Sequence, residues 1–249
     1  WNGGDEPLPE AQFDLVCSLS KSDYRGASQV SAVWVEYHYS ERGQRTITQQ
    51  HYEIVDHRNT INPLLTLTQH LRDHPDTLIW AEVNEPESIP TSHRHALDTA
   101  ENLVIWTTPP SQAVLGAALR KTKPKTVIVF GVNPDLHTTR ALLERLIGLV
   151  KYAKKHKAGQ VPLVELAGAC AAEEETIRVG LRLLEAMGSL IVDDDGEMAI
   201  MDIINKELDP KAIEIYKSIL QNTLEESHAY RRYFRSGKIM DFLTGKIPE

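Results

Sequence analysis

The chain has 249 residues, a net charge of -8, an apolar fraction of 41% and a charged fraction of 25%. Those values describe a folded globular chain of one to three domains and exclude a disordered or fibrous one. The acidic balance argues against wholesale coating of nucleic acid, and no apolar run approaches the roughly 20 residues that cross a bilayer.

Residues 1–58 read as β structure. Phe13 to Ser20 is one expected strand, and Ser22-Asp23-Tyr24-Arg25-Gly26 supplies turn chemistry. Val30 to Tyr39 alternates, with Val33, Val35 and Tyr37 on one face. After Glu41-Arg42-Gly43 a third strand is expected from Thr46 to Val55. Together they predict a three-stranded meander, too few strands for a closed barrel.

Residues 59–136 predict a small α/β domain. Asn62-Pro63 opens a short helix to about Arg72, with Asn as cap and Pro in the first turn. Thr77 to Val83 reads as a buried strand, and Pro86 to Asp98 as a polar connection. Two β-branched runs follow, Leu103 to Thr108 and Thr126 to Val132, with a helix from Gln112 to Lys121 between them. Such runs around a crossover helix predict a parallel layer.

Residues 137–205 predict three helices and a hairpin. Leu142, Leu143, Leu146, Leu149 and Val150 recur at helical spacing from Thr138 to about Lys157, where Ala158-Gly159 stops the helix. Leu163 to Ala171 and Glu173 to Met187 are the next two helices. Leu190-Ile191-Val192 and Met198-Ala199-Ile200-Met201 flank a Gly turn. Helix, helix, helix, hairpin is the winged-helix order. Residues 206–249 predict a helical tail, Lys211 to Tyr233. The fold class is therefore α/β, or α+β taken over the whole chain.

Cys17 and Cys170 sit far apart in apolar surroundings, as two buried, reduced thiols of a cytoplasmic protein would. The N-terminus lacks the basic-then-apolar pattern of a signal peptide, and a start at Trp1 suggests a fragment. No Cys/His cluster has zinc spacing. No Gly-rich phosphate loop follows a strand; Thr107-Thr108-Pro109-Pro110-Ser111 reads as a strand end with Ser111 capping a helix. Asp193-Asp194-Asp195 reads as a solvated hairpin tip.

Charge is segregated. Residues 110–160 carry ten Lys or Arg against two acids, a balance of +8, whereas residues 161–202 carry ten acids against two Arg, a balance of -8. Arg120, Lys121, Lys123 and Lys125, with Lys151, Lys154, Lys155 and Lys157, are the candidates for phosphate contact. The alternative is that the two blocks face each other, or that the lysines complement helix ends. Glu173-Glu174-Glu175 opens the helix that would read DNA in a winged helix and would repel phosphate. That unit therefore reads as a protein-contact or structural module.

Several runs in order resemble one family. Phe13-Asp14-Leu15-Val16 and Ser22-Asp23-Tyr24-Arg25-Gly26, followed by Gln29-Val30, resemble late OB-fold strands. Asp56-His57-Arg58-Asn59 and Asn62-Pro63 resemble the link that follows them. Trp106-Thr107-Thr108-Pro109-Pro110-Ser111, Phe130-Gly131-Val132, Leu149-Val150-Lys151-Tyr152 and Tyr230-Arg231-Arg232-Tyr233-Phe234-Arg235 resemble the domain beyond. The family is RecJ, the single-strand-specific 5′→3′ DNA exonucleases, in its cyanobacterial style. The resemblance covers the C-terminal region and implies a role in DNA repair and recombination, with Tyr24 and Arg25 as further nucleic-acid contacts. Here the Arg precedes the Gly and the family's second Arg is missing.

The family's catalytic half resembles a DHH phosphoesterase with manganese or magnesium. Its DHH and Gly-Gly-His signatures are not in this sequence. The resemblance thus implies a chain without a cofactor of its own. It would assist single-stranded DNA binding, dock on the N-terminal catalytic half, or recruit a DNA-repair protein, with no membrane role. The alternative is a stand-alone protein–protein interaction module, and a small nucleotide-binding enzyme is disfavoured by the missing phosphate loop.

Overall fold

The computed structural model describes residues 13–24, 27–39 and 52–244. The chain divides into two units, residues 1–49 and 50–249. In the first, β1 (Phe13–Tyr24) and β2 (Ala27–Tyr39) form an antiparallel hairpin, paired from Phe13 with Tyr39 to Tyr24 with Ala27. The register shifts between Val16 and Cys17.

The expected third meander strand is a correction. Its described end, β3 (Glu53–Asp56), pairs parallel with β6 (Thr126–Val132) of the second unit, Glu53 opposite Thr126 and Asp56 opposite Val129. The reason is burial on both faces. Ile54 and Val55 are adjacent, so they point to opposite faces of any sheet. Ile54 packs into one core and Val55 into another, which requires a sheet covered on both sides.

That sheet has the order β3-β6-β5-β4, all parallel, with β4 (Leu78–Trp80), β5 (Asn102–Thr107) and β6 (Thr126–Val132). Alternation divides its side chains. Trp80, Leu103, Ile105, Val127 and Val129 face Leu115 and Leu119 of α2 (Gln112–Thr122). Ile79, Val104, Trp106, Ile128 and Phe130 face Leu67 of α1 (Pro63–Asp73). Asn62 caps α1 by accepting from Leu65 N at 3.1 Å, and Ser111 caps α2 by accepting from Val114 N at 3.4 Å.

Beyond the sheet come α3 (Thr139–His156), β7 (Gln160–Pro162), α4 (Leu163–Ala169), α5 (Glu174–Ala186), β8 (Leu190–Asp194) and β9 (Met198–Ile203). The strands form an antiparallel sheet in the order β7-β9-β8. Leu142, Leu146, Ile177, Leu181, Leu184 and Met201 fill the core beneath it. Gly159 makes the β7–β9 approach feasible. Its φ is +78°, and a Cβ there would lie 2.2 Å from the Met201 carbonyl oxygen.

The expected tail is a strut. α6 (Pro210–Ser236) buries Leu220 and Leu224 in the helical core and Phe234 in the sheet core. A short α7 (Ile239–Thr244) turns back after Gly237 to bury Phe242 and Leu243 beside Phe234.

Candidate nucleic-acid interface

The basic residues fall at two places. Arg120 and Lys121 end α2, Lys123 is its left-handed C-cap with φ 48°, and Lys125 precedes β6; all four are exposed. Lys151, Lys154 and Lys155 lie on the last turns of α3, and Lys157 caps it. Among the described residues no hydrogen bond or ion pair joins the two groups.

Half of these cations are already engaged. Lys121 Nζ donates to the His95 carbonyl at 2.8 Å, and Lys125 pairs with Glu101 at 2.6 Å. Lys154 pairs with Asp202 at 2.7 Å and Lys157 with Glu165 at 2.5 Å. Hydrogen bonds from Lys125 and Lys154 hold the Glu101 and Asp202 carboxyls below their ordinary range. Arg120, Lys123, Lys151 and Lys155 have no ion partner among the described residues. A cleft beside the first group is lined by Asp73, Asp76 and Glu101, which repel phosphate. Tyr24 ends β1, and Arg25 lies outside the described residues.

The carboxyl edge of the parallel sheet is occupied by its own polar groups. Thr107 Oγ1 accepts from Glu82 N at 2.9 Å, and Thr108 Oγ1 donates to the Gly131 carbonyl at 2.7 Å. Trp106 Nε1 donates to the Asn84 carbonyl at 2.8 Å. Val83 and Asn84 take φ 61° and 50°, a conformation a β-branched residue adopts only under constraint.

Beneath them lies a buried ionic network. Glu82 is 2% exposed and receives both sides of the Arg94 guanidinium, Nε at 2.7 Å and Nη2 at 2.5 Å. Trp80 Nε1 adds a bond at 3.0 Å. Arg94 Nη1 donates to the Ala172 carbonyl at 2.8 Å, and Arg231 Nη2 donates to Ala171. Burial, then repulsion from Arg94, pulls the Arg231 guanidinium down to about 10, and its Nε has no hydrogen-bond partner among the described residues. Through Arg94 the Glu82 carboxylate ties the sheet to the α4–α5 turn, and Arg231 ties α6 to the same turn. Nearby, His93 Nε2 meets Glu85 at 2.8 Å; burial would raise the Glu85 carboxyl, but bonds from His93 and Thr91 set it below its ordinary value.

A third feature sits at the carboxyl end of α6. Asp56 holds Arg58 in two bonds, 2.9 Å to Nε and 2.7 Å to Nη2. Arg58 in turn donates to the Phe234 carbonyl, and to the Gly237 carbonyl at 3.0 Å. The Asp56-His57-Arg58 run therefore closes a helix end. Beside it lies an open cleft of about 590 Å³ lined by Asn59, Arg232, Tyr233, Arg235 and Ser236. Neither Arg232 nor Arg235 has an ion partner among the described residues, and Tyr233 is 41% exposed. The signal for this cleft was present in the sequence: His228 to Met240 holds three Arg and one Lys and no acid.

Comparison of the chain with protein-family models, curated proteins and solved structures finds no match. Among the described residues no helix is long and apolar enough to cross a membrane, and no group of three His, Cys, Asp or Glu side chains could hold a metal ion.

Proposed function

We propose that this chain is the C-terminal region of a RecJ-like 5′→3′ single-stranded-DNA exonuclease of repair and recombination, in which it assists substrate binding or recruits a partner. In this reading β1 and β2 are late strands of an OB fold, and α3 to β9 form a winged-helix unit. The observation that carries it is the ordered set of motifs. Trp106 to Ser111 leads from β5 to the cap of α2, Phe130 to Val132 ends β6, Leu149 to Tyr152 lies on α3, and Tyr230 to Arg235 lies on α6. Hydrolysis, with its manganese or magnesium, then belongs to the family's N-terminal half, and this chain alone should leave 5′-labelled single strands intact in manganese buffer.

DNA contact is tested by fluorescence anisotropy with a single-stranded oligonucleotide over a salt series. Binding should be weak and salt-dependent, because each neutralised phosphate releases counterions. Arg120→Glu with Lys123→Glu removes two unpaired cations and should flatten the salt slope by about 1.4, at about 0.7 per contact on single strands. The same test applies to Lys151 and Lys155. Absence of any single-strand binding would favour a protein–protein module. One observation speaks for that second reading: the outer face of β8 and β9 exposes Ile191 and Ile200 beside Asp193 and Asp202.

A further inference from the structure

We propose that the cleft at the carboxyl end of α6 is a subsite for one nucleotide of a single-stranded nucleic acid. Arg232 and Arg235 hold the phosphate there, and the base stacks on Tyr233. The proposal rests on the reading that this chain contacts single strands, and it gives that contact a place none of the two lysine groups occupies.

The ordinary explanation for arginines at a helix end is that they satisfy the last carbonyls. Much of that demand is met here by other groups. Arg58 takes the Phe234 and Gly237 carbonyls, Ser236 Oγ takes the Arg232 carbonyl at 3.0 Å, and Gly237 N takes the Tyr233 carbonyl at 2.7 Å. Arg232 and Arg235 are thereby left to solvent. Asp56, the carboxylate on the neighbouring segment, is committed to Arg58. Guanidinium pairs without a carboxylate suit phosphate, which they meet with two parallel N–H bonds.

The Tyr233 ring is built as a platform. One side packs on Phe242, with ring centroids 4.8 Å apart and planes tilted by 55°. Gly237 lies against it, since a Cβ there would come within 3.0 Å of both rings. A ring held in this way loses little freedom when a base stacks on its open side. Stacking on an aromatic face beside cations is how single strands are held without sequence preference. An acidic peptide would need the cations but not a flat open ring, so the nucleotide is favoured.

The test uses the full chain and two labelled oligomers of equal length, oligothymidylate and its abasic counterpart, with an acidic peptide as competitor. Tyr233→Leu should weaken oligothymidylate binding about tenfold and leave the abasic oligomer unchanged. Tyr233→Phe, which keeps the ring and loses only the hydroxyl, should bind as the parent does, with thermal melts confirming that each variant is folded. Arg232→Gln with Arg235→Gln should weaken both oligomers and flatten the salt slope by about 1.4. Parental binding by Tyr233→Leu, with loss on reversing Arg120 and Lys123, would overturn the subsite and keep the broader reading. Competition by the acidic peptide at equal potency, equally sensitive to Tyr233→Leu, would overturn it in favour of a peptide groove. No binding of either oligomer by the parent would overturn both.

Discussion

Replacing Glu82 by Gln tests whether the buried network holds the larger unit together. The substitution keeps the shape of the side chain and removes the only carboxylate that contacts Arg94 among the described residues. Its amide nitrogen would face a guanidinium nitrogen across a contact that is now 2.5 Å. Arg94, whose side chain is 10% exposed, and Arg231 would then lie buried without a counter-ion. Breaking a buried pair by removing one partner costs about 3–5 kcal/mol. In a unit of this size that corresponds to a fall of about 6–20 °C in Tm. Urea unfolding followed by the fluorescence of buried Trp80 and Trp106 measures it directly. Adding Arg94→Met removes one of the stranded cations, so the double variant should be more stable than additivity predicts, by about 0.5–3 kcal/mol. A loss below about 1 kcal/mol for Glu82→Gln would refute the reasoning, because water or a rearranged loop would then be solvating both guanidinia.

Asp56→Asn should destabilise the second unit by about 1 kcal/mol near neutral pH, discounted for partial exposure. Its hydrogen bond from Arg58 outweighs burial and keeps the folded carboxyl below its ordinary value of 3.8. The benefit is therefore complete above 3.8 and is lost as pH falls through the lower folded value, so parent and variant urea midpoints should converge in acid. Gly159→Ala should cost at least about 2 kcal/mol, from a left-handed φ together with a clash against the Met201 carbonyl, read from the same urea curves. Burial pushes the Cys170 thiol up to about 12, whereas Cys17, expected from its apolar neighbours to be buried as well, is exposed. A thiol reagent at pH 8 should therefore label Cys17 in the folded chain and Cys170 only after denaturant is added, as intact-mass measurement would reveal.

The local patterns were legible because their causes are local. The helical spacing of Leu142, Leu146 and Val150 and the caps at Asn62 and Ser111 act within one or two turns. The apolar runs of β5 and β6 state that both faces are covered, whichever elements cover them. Other features depend on partners distant in sequence. Ile54 and Val55 are compatible with a meander or a parallel edge, and only the pairing with β6 decided between them. Three residues at Gln160–Pro162 became a strand because Gly159 lets β9 approach. The charge block at 110–160 looked like one basic surface, yet folding brought Glu101 to Lys125, Asp202 to Lys154 and Glu165 to Lys157. Arg232 and Arg235 have no ion partner among the described residues, and the carbonyls at their helix end are taken by Arg58, about 175 residues upstream in sequence. Short-range sterics and periodicity write secondary structure into neighbouring residues. Which charges remain free is settled only when chain closure sets distant groups side by side.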